Sequence, residues 1–467
     1  MQRNRNRPLP LILERRSSDE FDPPPYDARE IAAVRRVAVT REAAAAKLGV
    51  GEAAWAASRR GTAAGLLALN AEYGDSFYEV PPEAALDDDA AREAFADDSV
   101  VIDVQTHYVA DRPETRELTL YLLDLYRSVS PDWWKGMDGL TAYNLAEYLR
   151  CVFLETENAV AVLTSGPGRD GRRMLFNPEL AMARELLDRL GPEGRVLQHA
   201  VVHPDFDDEF DRMEEERDRF APAGWKVYTL GRQRPDGSWT EDWMLDDETV
   251  GVPFLERCRA LGTPLVCTHK GISNLAPAGS PRDVGPAAAG FPDVQIVVYH
   301  SGYEMPSMGV PHEGPYREDT ADLGVNRLVK SLAEARIAPG SNVCAELGST
   351  WFCLVRRPAE AAHVLGKLLR AVGEDNVLWG TDSIWYGPAQ PVLDAFRAFQ
   401  IPPAMRDEFG YPELTPEIKA KILGRNGARL YGIDLERAKA LREGDDLAWM
   451  TQALDEAKAS GIAGVVD

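Results

Sequence analysis

Four histidines and one aspartate in this chain are placed as donors to an ion would be. His107, His203, His269 and His300 each follow an apolar run directly, and Asp382 closes a fifth. Of the seven histidines, only His199, inside a run, and His312 and His363, in loop-like or helical sequence, are placed otherwise. The run Val100-Val101-Ile102-Asp103-Val104-Gln105-Thr106-His107 is rich in β-branched residues and ends in polar ones. It predicts a buried parallel strand whose C-terminal tip faces a site. Side chains two apart on a strand share a face, so Gln105 and His107 stand about 6.6 Å apart along it and offer two donors to one point. A lone histidine is more often a hydrogen-bonded core residue than a ligand. The repeated placement is what predicts that these tips converge on one metal.

The elements that must position the tips follow a simple rule. From Ser99 onward, short apolar runs alternate with helical patterns, which specifies a parallel sheet with helices outside it. After the first run, strands are expected over Ala159–Leu163, Arg195–Val202, Trp225–Leu230, Pro264–Thr268, Val294–Tyr299, Val343–Ala345 and Val377–Gly380. His203, His269, His300, Glu346 and Asp382 stand at or just beyond their tips. Helices are expected over Pro178–Leu190 and Asp207–Phe220, and an aromatic insertion carries Tyr121, Tyr126, Trp133, Trp134 and Tyr143. Eight strand-helix units in about 280 residues suit a (β/α)8 TIM barrel, whose site lies at the C-terminal ends of the strands. A doubly wound open sheet is the rival, but no glycine-rich dinucleotide turn follows an early strand.

The barrel occupies residues 99–434, behind an arm and helical extension (1–98) and ahead of a helical tail (435–467). The arm is polar and Pro-rich at Pro23-Pro24-Pro25; Ala28–Leu48 and Glu52–Leu69 read as two helices, with Asp87-Asp88-Asp89 closing the extension. No ligand set is recognisable there, so extension and tail are assigned to packing or to contacts in a homo-oligomer. The stretch from Ser58-Arg59-Arg60 to Asn70 has the look of a twin-arginine leader but starts far from the N-terminus, and is expected to be a retained helix. A net charge of −23 over 467 residues argues against nucleic acid or an anionic membrane as partner, because an acidic surface repels both. Five cysteines without ligand spacing suit reduced thiols in the cytoplasm. No apolar run approaches the ~20 residues that span a bilayer.

With these residues assembled, the chain resembles the amidohydrolase superfamily, in the branch that includes aminocarboxymuconate-semialdehyde decarboxylase and γ-resorcylate decarboxylase. The matching pieces are Ile102-Asp103-Val104-Gln105-Thr106-His107, Thr268-His269, Tyr299-His300-Ser301-Gly302 and Trp379-Gly380-Thr381-Asp382-Ser383, with Lys421 to Gly432 like the family's closing helix. The resemblance implies that His107, His269 and Asp382 bind one divalent metal and that His300 and Asp382 move protons beside it. It also sets Lys226 near the position where two-metal members carry a carbamylated lysine. The family has histidine where this chain has Gln105, and an amide oxygen is a poorer zinc ligand than imidazole. Glu346 is a further candidate ligand, although a glutamate there more often pairs with Arg or Lys. His203, Tyr303, Trp351, Trp385 and Tyr386 are candidates to line the substrate.

The leading reading is a metal-dependent hydrolase or decarboxylase of a small carboxylated or cyclic substrate, with zinc first and Fe(II) or Mn as alternatives. Gln105 motivates a second reading, an iron-dependent oxygenase using two histidines and one carboxylate. A third is a barrel without chemistry that serves binding or assembly.

Overall fold

The computed structural model describes residues 8–16, 25–117, 143–166, 173–190, 193–230, 242–273, 275–306, 310–444 and 446–459. Tyr121, Tyr126, Trp133 and Trp134 of the aromatic insertion lie outside these residues.

Eight parallel strands run in the order β1 to β8: β1 Val101–Thr106, β2 Asn158–Leu163, β3 Val196–Val201, β4 Gly224–Tyr228, β5 Leu265–His269, β6 Gln295–Tyr299, β7 Val343–Glu346 and β8 Val377–Leu378. The sheet closes on itself. Val104 N donates to the Trp379 carbonyl (3.1 Å), Asp382 N to that of Gln105 (2.9 Å) and His107 N to that of Ser383 (2.7 Å). This is the expected (β/α)8 barrel, its helices outside. β8 is shorter than its apolar run because Trp379 N leaves the ladder for the Ile422 carbonyl (3.0 Å).

A bulge in β1 decides which way the first tip faces. Between Asp103 and Thr106 the strand uses three steps where β2 uses two, from Ala161 to Leu163. Before it, Ile102 and Val104 pack inside the barrel with Val160, Val162, Cys267, Val297 and Tyr299, while Val101 belongs to the outer core. Plain alternation would carry Gln105 and His107 outward with Val101. An extra residue shifts the phase and turns them in.

The extension is not a separate body. α1 Ala28–Leu48 starts with a full capping box at Asp27 and Glu30, and Trp55, Leu66 and Tyr78 share one apolar cluster with Trp351 and Phe396 of the barrel's helical layer. The expected helix Glu52–Leu69 is two, α2 Glu52–Ala57 and α3 Arg59–Tyr73. Ser58 is extended (φ −85°, ψ 166°) and caps α3 through Gly61 N, which is what a serine at a helix start does best. Gly61 permits the tight corner, since a Cβ there would stand 2.5 Å from the Ala56 carbonyl oxygen. Arg59 of the twin-arginine stretch is bound to Asp394 (2.9 Å) and Glu157 (2.5 Å).

The floor of the barrel is sealed by the closing helix, which ends as α4 Asn426–Tyr431. Gly427 lets it approach β1, with a Cβ only 3.2 Å from Ile102 Cγ2. The tail forms two helices, Leu435–Gly444 and Asp446–Ala459. Among the described residues no helix is long and apolar enough to cross a membrane.

Candidate metal centre

The tips of β1, β5, β6, β7 and β8 meet at the barrel mouth. His107 Nδ1 lies 3.1 Å from the Thr164 carbonyl oxygen, which can only accept. Nδ1 therefore donates to it, and Nε2 stands 2.9 Å from Asp382 Oδ1, within ion-pair distance of the carboxylate. Asp382 is fully buried. Burial pushes its carboxyl up, but the bond and charge of His107, with His300 and Ser349, hold it below the usual carboxylate range. Ser349 Oγ donates to Asp382 Oδ2 (2.5 Å).

Gln105 stands over this pair. Its Nε2 donates to Asp382 Oδ1 (2.9 Å) and lies 3.4 Å from His107 Nε2. Its Oε1 is buried without a hydrogen-bond partner among the described residues. A Cβ on Gly348 would run into both Gln105 Oε1 and Glu346 Oε1, so those two oxygens share one corner and position 348 must be glycine. Turning the amide over leaves its outline unchanged. It then presents Nε2 to the Glu346 oxygen and brings Oε1 beside Asp382 Oδ1 and His107 Nε2. In that orientation an amide oxygen, a carboxylate oxygen and an imidazole nitrogen are together available to one divalent ion.

The spacing suits one. Two donors each about 2.0–2.2 Å from an ion, at a right angle, are about 3 Å apart. Among the described residues no set of three or more His, Cys, Asp or Glu side chains already forms an ion cage; the pair His107–Asp382 is in place, with an amide oxygen one rotation away.

His300 stands at the end of β6 with φ +63°, followed by Ser301 at +54°; Asp382 has φ +61° and Ser349 +52°. Each such backbone costs about 1–3 kcal/mol and persists only where the surroundings over-determine it. His300 Nδ1 is 2.8 Å from the Gly348 carbonyl oxygen, and burial pulls its pKa down to about 4, leaving a neutral ring with its lone pair on Nε2. The His269 ring meets that of His300 at 4.8 Å between centroids and stacks on Tyr228 at 5.0 Å. Glu346 accepts from His300 N (3.1 Å) and from Gly348 N, and burial pushes its carboxyl up to about 8.

The remaining candidates divide. Trp385 lies against His107 (6.1 Å, 29° between planes) and Tyr143 (5.2 Å). Tyr386 donates to the Thr381 carbonyl (2.7 Å) beside Ser349. His203 is tied to the helix after β3, its N donating to Glu209 Oε2 (3.0 Å) and its ring near Phe206 (6.4 Å). Tyr303 gives its hydroxyl to Glu360 (3.3 Å). Trp351 donates to the Val392 carbonyl (2.9 Å) within the outer helical layer, not at the mouth. Lys226 lies inside the barrel, Nζ 3.7 Å from the Tyr299 ring centroid and 4.6 Å from that of Tyr228.

Two contributors escaped sequence reasoning. Ser349 has only the Gly348-Ser349-Thr350 turn after Glu346 as a signal. Asp103, two residues before Gln105, accepts from Thr381 Oγ1 (2.5 Å) and Thr381 N (3.0 Å) and so binds the tip of β8 to β1; burial pushes its carboxyl up to about 7.

The chain matches the amidohydrolase family over residues 102–433. No curated protein matches it in sequence. Among solved structures it is similar to 5-carboxyvanillate decarboxylase from Novosphingobium aromaticivorans, complexed with manganese and 4-hydroxy-3-methoxy-5-nitrobenzoic acid (16% identity over 72% of this chain and 96% of that one, TM-score 0.44). It is also similar to 2,6-dihydroxybenzoate decarboxylase from Rhizobium (16% identity, 72% and 99% covered, TM-score 0.43). A third is a dihydroxybenzoic acid decarboxylase from Polaromonas sp. JS666 with bound manganese and 2-nitroresorcinol (14% identity, 72% and 97% covered, TM-score 0.41). The family match itself runs from the second residue of β1 to just past α4, the whole barrel with its closing helix, and the chain belongs to the amidohydrolase family.

Proposed function

We propose that this protein is a metal-dependent decarboxylase or hydrolase of a small carboxylated or cyclic substrate, working at the barrel mouth with one divalent ion. One observation carries the reading: His107 Nε2 lies 2.9 Å from the buried Asp382 Oδ1, with the Gln105 amide over both, its Nε2 on the same carboxylate oxygen and its Oε1 buried without a partner among the described residues. His107, Asp382 and His269 are the ligands, with Gln105 joining through Oε1. Glu346 stays outside, occupied by the backbone N–H groups of His300 and Gly348. An amide oxygen in place of an imidazole favours a harder ion, so manganese(II) suits the set better than zinc.

Lewis-acid polarisation of a substrate carboxylate or carbonyl oxygen is what such an ion supplies when bound. The protein does the rest. His300, neutral and held by the Gly348 carbonyl, takes or returns a proton at Nε2. Trp385 offers a flat apolar wall beside His107 for a planar ring. Burial of the mouth excludes water and strengthens each of these contacts. The iron oxygenase reading gains no support from the family or the site.

Metal analysis of protein purified without chelator tests the proposal. About one equivalent of a divalent transition metal is expected, with carbon dioxide release from at least one of a panel of hydroxylated benzoates. Less than about a tenth of an equivalent, unrecovered after incubation with Mn(II) or Zn(II), overturns it.

A further inference from the structure

Residues 8–16 belong to the polar arm of residues 1 to about 25, whose composition predicts a segment lying on another surface or disordered. They are held at almost every step. The Pro8 carbonyl accepts from Arg41 Nη1 (2.5 Å) and the Leu13 carbonyl from the Tyr26 hydroxyl (2.6 Å). Ile12 and Leu13 are fully buried. Ile12 is seated over Gly65 of α3, where a Cβ would come within 2.8 Å of its Cδ1. The Glu14 carbonyl accepts from Arg356 Nη1.

This path ends at the metal centre. Arg16, only 5% exposed, grips Glu14 Oε2 through Nε (2.6 Å) and Nη2 (2.5 Å) and gives Nη1 to the Tyr386 carbonyl. Tyr386 is held from both ends. Its ring stacks on Phe352, centroids 4.0 Å apart and 14° from parallel. Its one hydroxyl proton is shared between the Thr381 carbonyl (2.7 Å) and Ser349 Oγ (3.0 Å), and Ser349 Oγ donates to Asp382 Oδ2 (2.5 Å). One side chain thus joins the arm to the partner of the central carboxylate. The loop it crosses needs such support at its start: Asp382 has φ +61°, and strained backbone relaxes unless its neighbours hold it.

We propose that residues 8–16 are a strap belonging to the site, which fixes the loop 382–387, and that Arg16 is a positioning residue acting on Asp382 through Tyr386 and Ser349. The strap gives the extension, which has no ligand of its own, a part in the site: it carries the Arg16 guanidinium to the Tyr386 carbonyl. Only the metal readout below rests on the proposed function.

The test uses the full chain as wild type, Arg16→Ala, Arg16→Lys and Tyr386→Phe, read by hydrogen exchange and by Mn(II) titration. In Arg16→Ala, amide exchange across 382–387 should rise about tenfold while that of β6 is unchanged. Arg16→Lys should restore most of the protection, because an ammonium can reach the same carbonyl. Tyr386→Phe keeps the carbonyl contact but cuts the link to Ser349, so Mn(II) binding should weaken about fivefold with exchange of the loop near wild type. Unchanged exchange in Arg16→Ala, or equal acceleration in β6, overturns the strap. Unchanged Mn(II) affinity in Tyr386→Phe overturns the route to Asp382. A wild type that takes up no Mn(II) defeats the proposed function instead, and the exchange data still decide the strap.

Discussion

Two buried polar clusters sit inside one barrel, and they are built on opposite terms. At the floor, His199 Nε2 and the Tyr431 hydroxyl are 2.9 Å apart, and the Tyr299 hydroxyl donates to the Val104 carbonyl (3.0 Å). Cys267 Sγ lies 3.7 Å from His199. Burial, with Lys226 and His107 nearby, pulls His199 down to about 3, so the ring is neutral and its hydrogen-bond partners are hydroxyl and thiol groups, with the Lys226 cation resting on the Tyr299 ring. None of these residues has positive φ. At the mouth, His300, Ser301, Ser349 and Asp382 all do, and a buried carboxylate, that of Asp382, is gripped by His107, Gln105 and Ser349. Burial and histidine content do not separate the clusters. Backbone strain and a buried carboxylate do, because such features persist only where the surroundings over-determine them and cluster where there is chemistry to do.

Substitutions can break this contrast. Asp382→Asn has the largest expected effect: turnover should fall at least about a thousandfold, with the thermal midpoint within about 3 °C of wild type. An unfolded variant would make the mouth as structural as the floor. Tyr431→Phe, at the floor, should do the reverse, costing about 1–3 kcal/mol in chemical denaturation by stranding His199 while leaving Mn(II) binding unchanged.

Gln105→His should tighten zinc binding about tenfold or more in calorimetric titration, since imidazole replaces an amide oxygen; equal affinity would mean that position 105 does not face the ion. Smallest is Arg336→Gly. Arg336 is exposed with φ +57°, in the connection ahead of β7 and so at the end of that strand away from the mouth, and its replacement should stabilise the protein by up to about 1 kcal/mol without touching metal binding. Its role is to show that strain of this kind is relieved at no functional loss when it lies outside the mouth.

Much of this was legible in the chain because it is local. Apolar runs of the right length set β5 and β6 almost to the residue, and polar tips singled out His107, His269, His300 and Asp382. The break at Ser58 could have been read from a capping serine followed by glycine, yet helical periodicity on both sides concealed it. Tyr303 and Trp351 follow the same tip rule, but neither is brought to the imidazoles: Tyr303 gives its hydroxyl to Glu360 and Trp351 packs in the helical layer, because sequence distance from a strand end says nothing of rotamer.

By itself, then, the sequence determined the barrel, its strand order and the residues standing at its mouth, since hydrophobic periodicity and chain connectivity are short-range properties. Only the tertiary structure decided the phase of β1, whose bulge depends on how two strands pair, and the meeting of His199 with Tyr431 and of Arg16 with Tyr386, each pair separated by hundreds of residues. Which way the Gln105 amide faces belongs with these. It depends on Asp382, His107 and Glu346 together, and no stretch of chain contains all four.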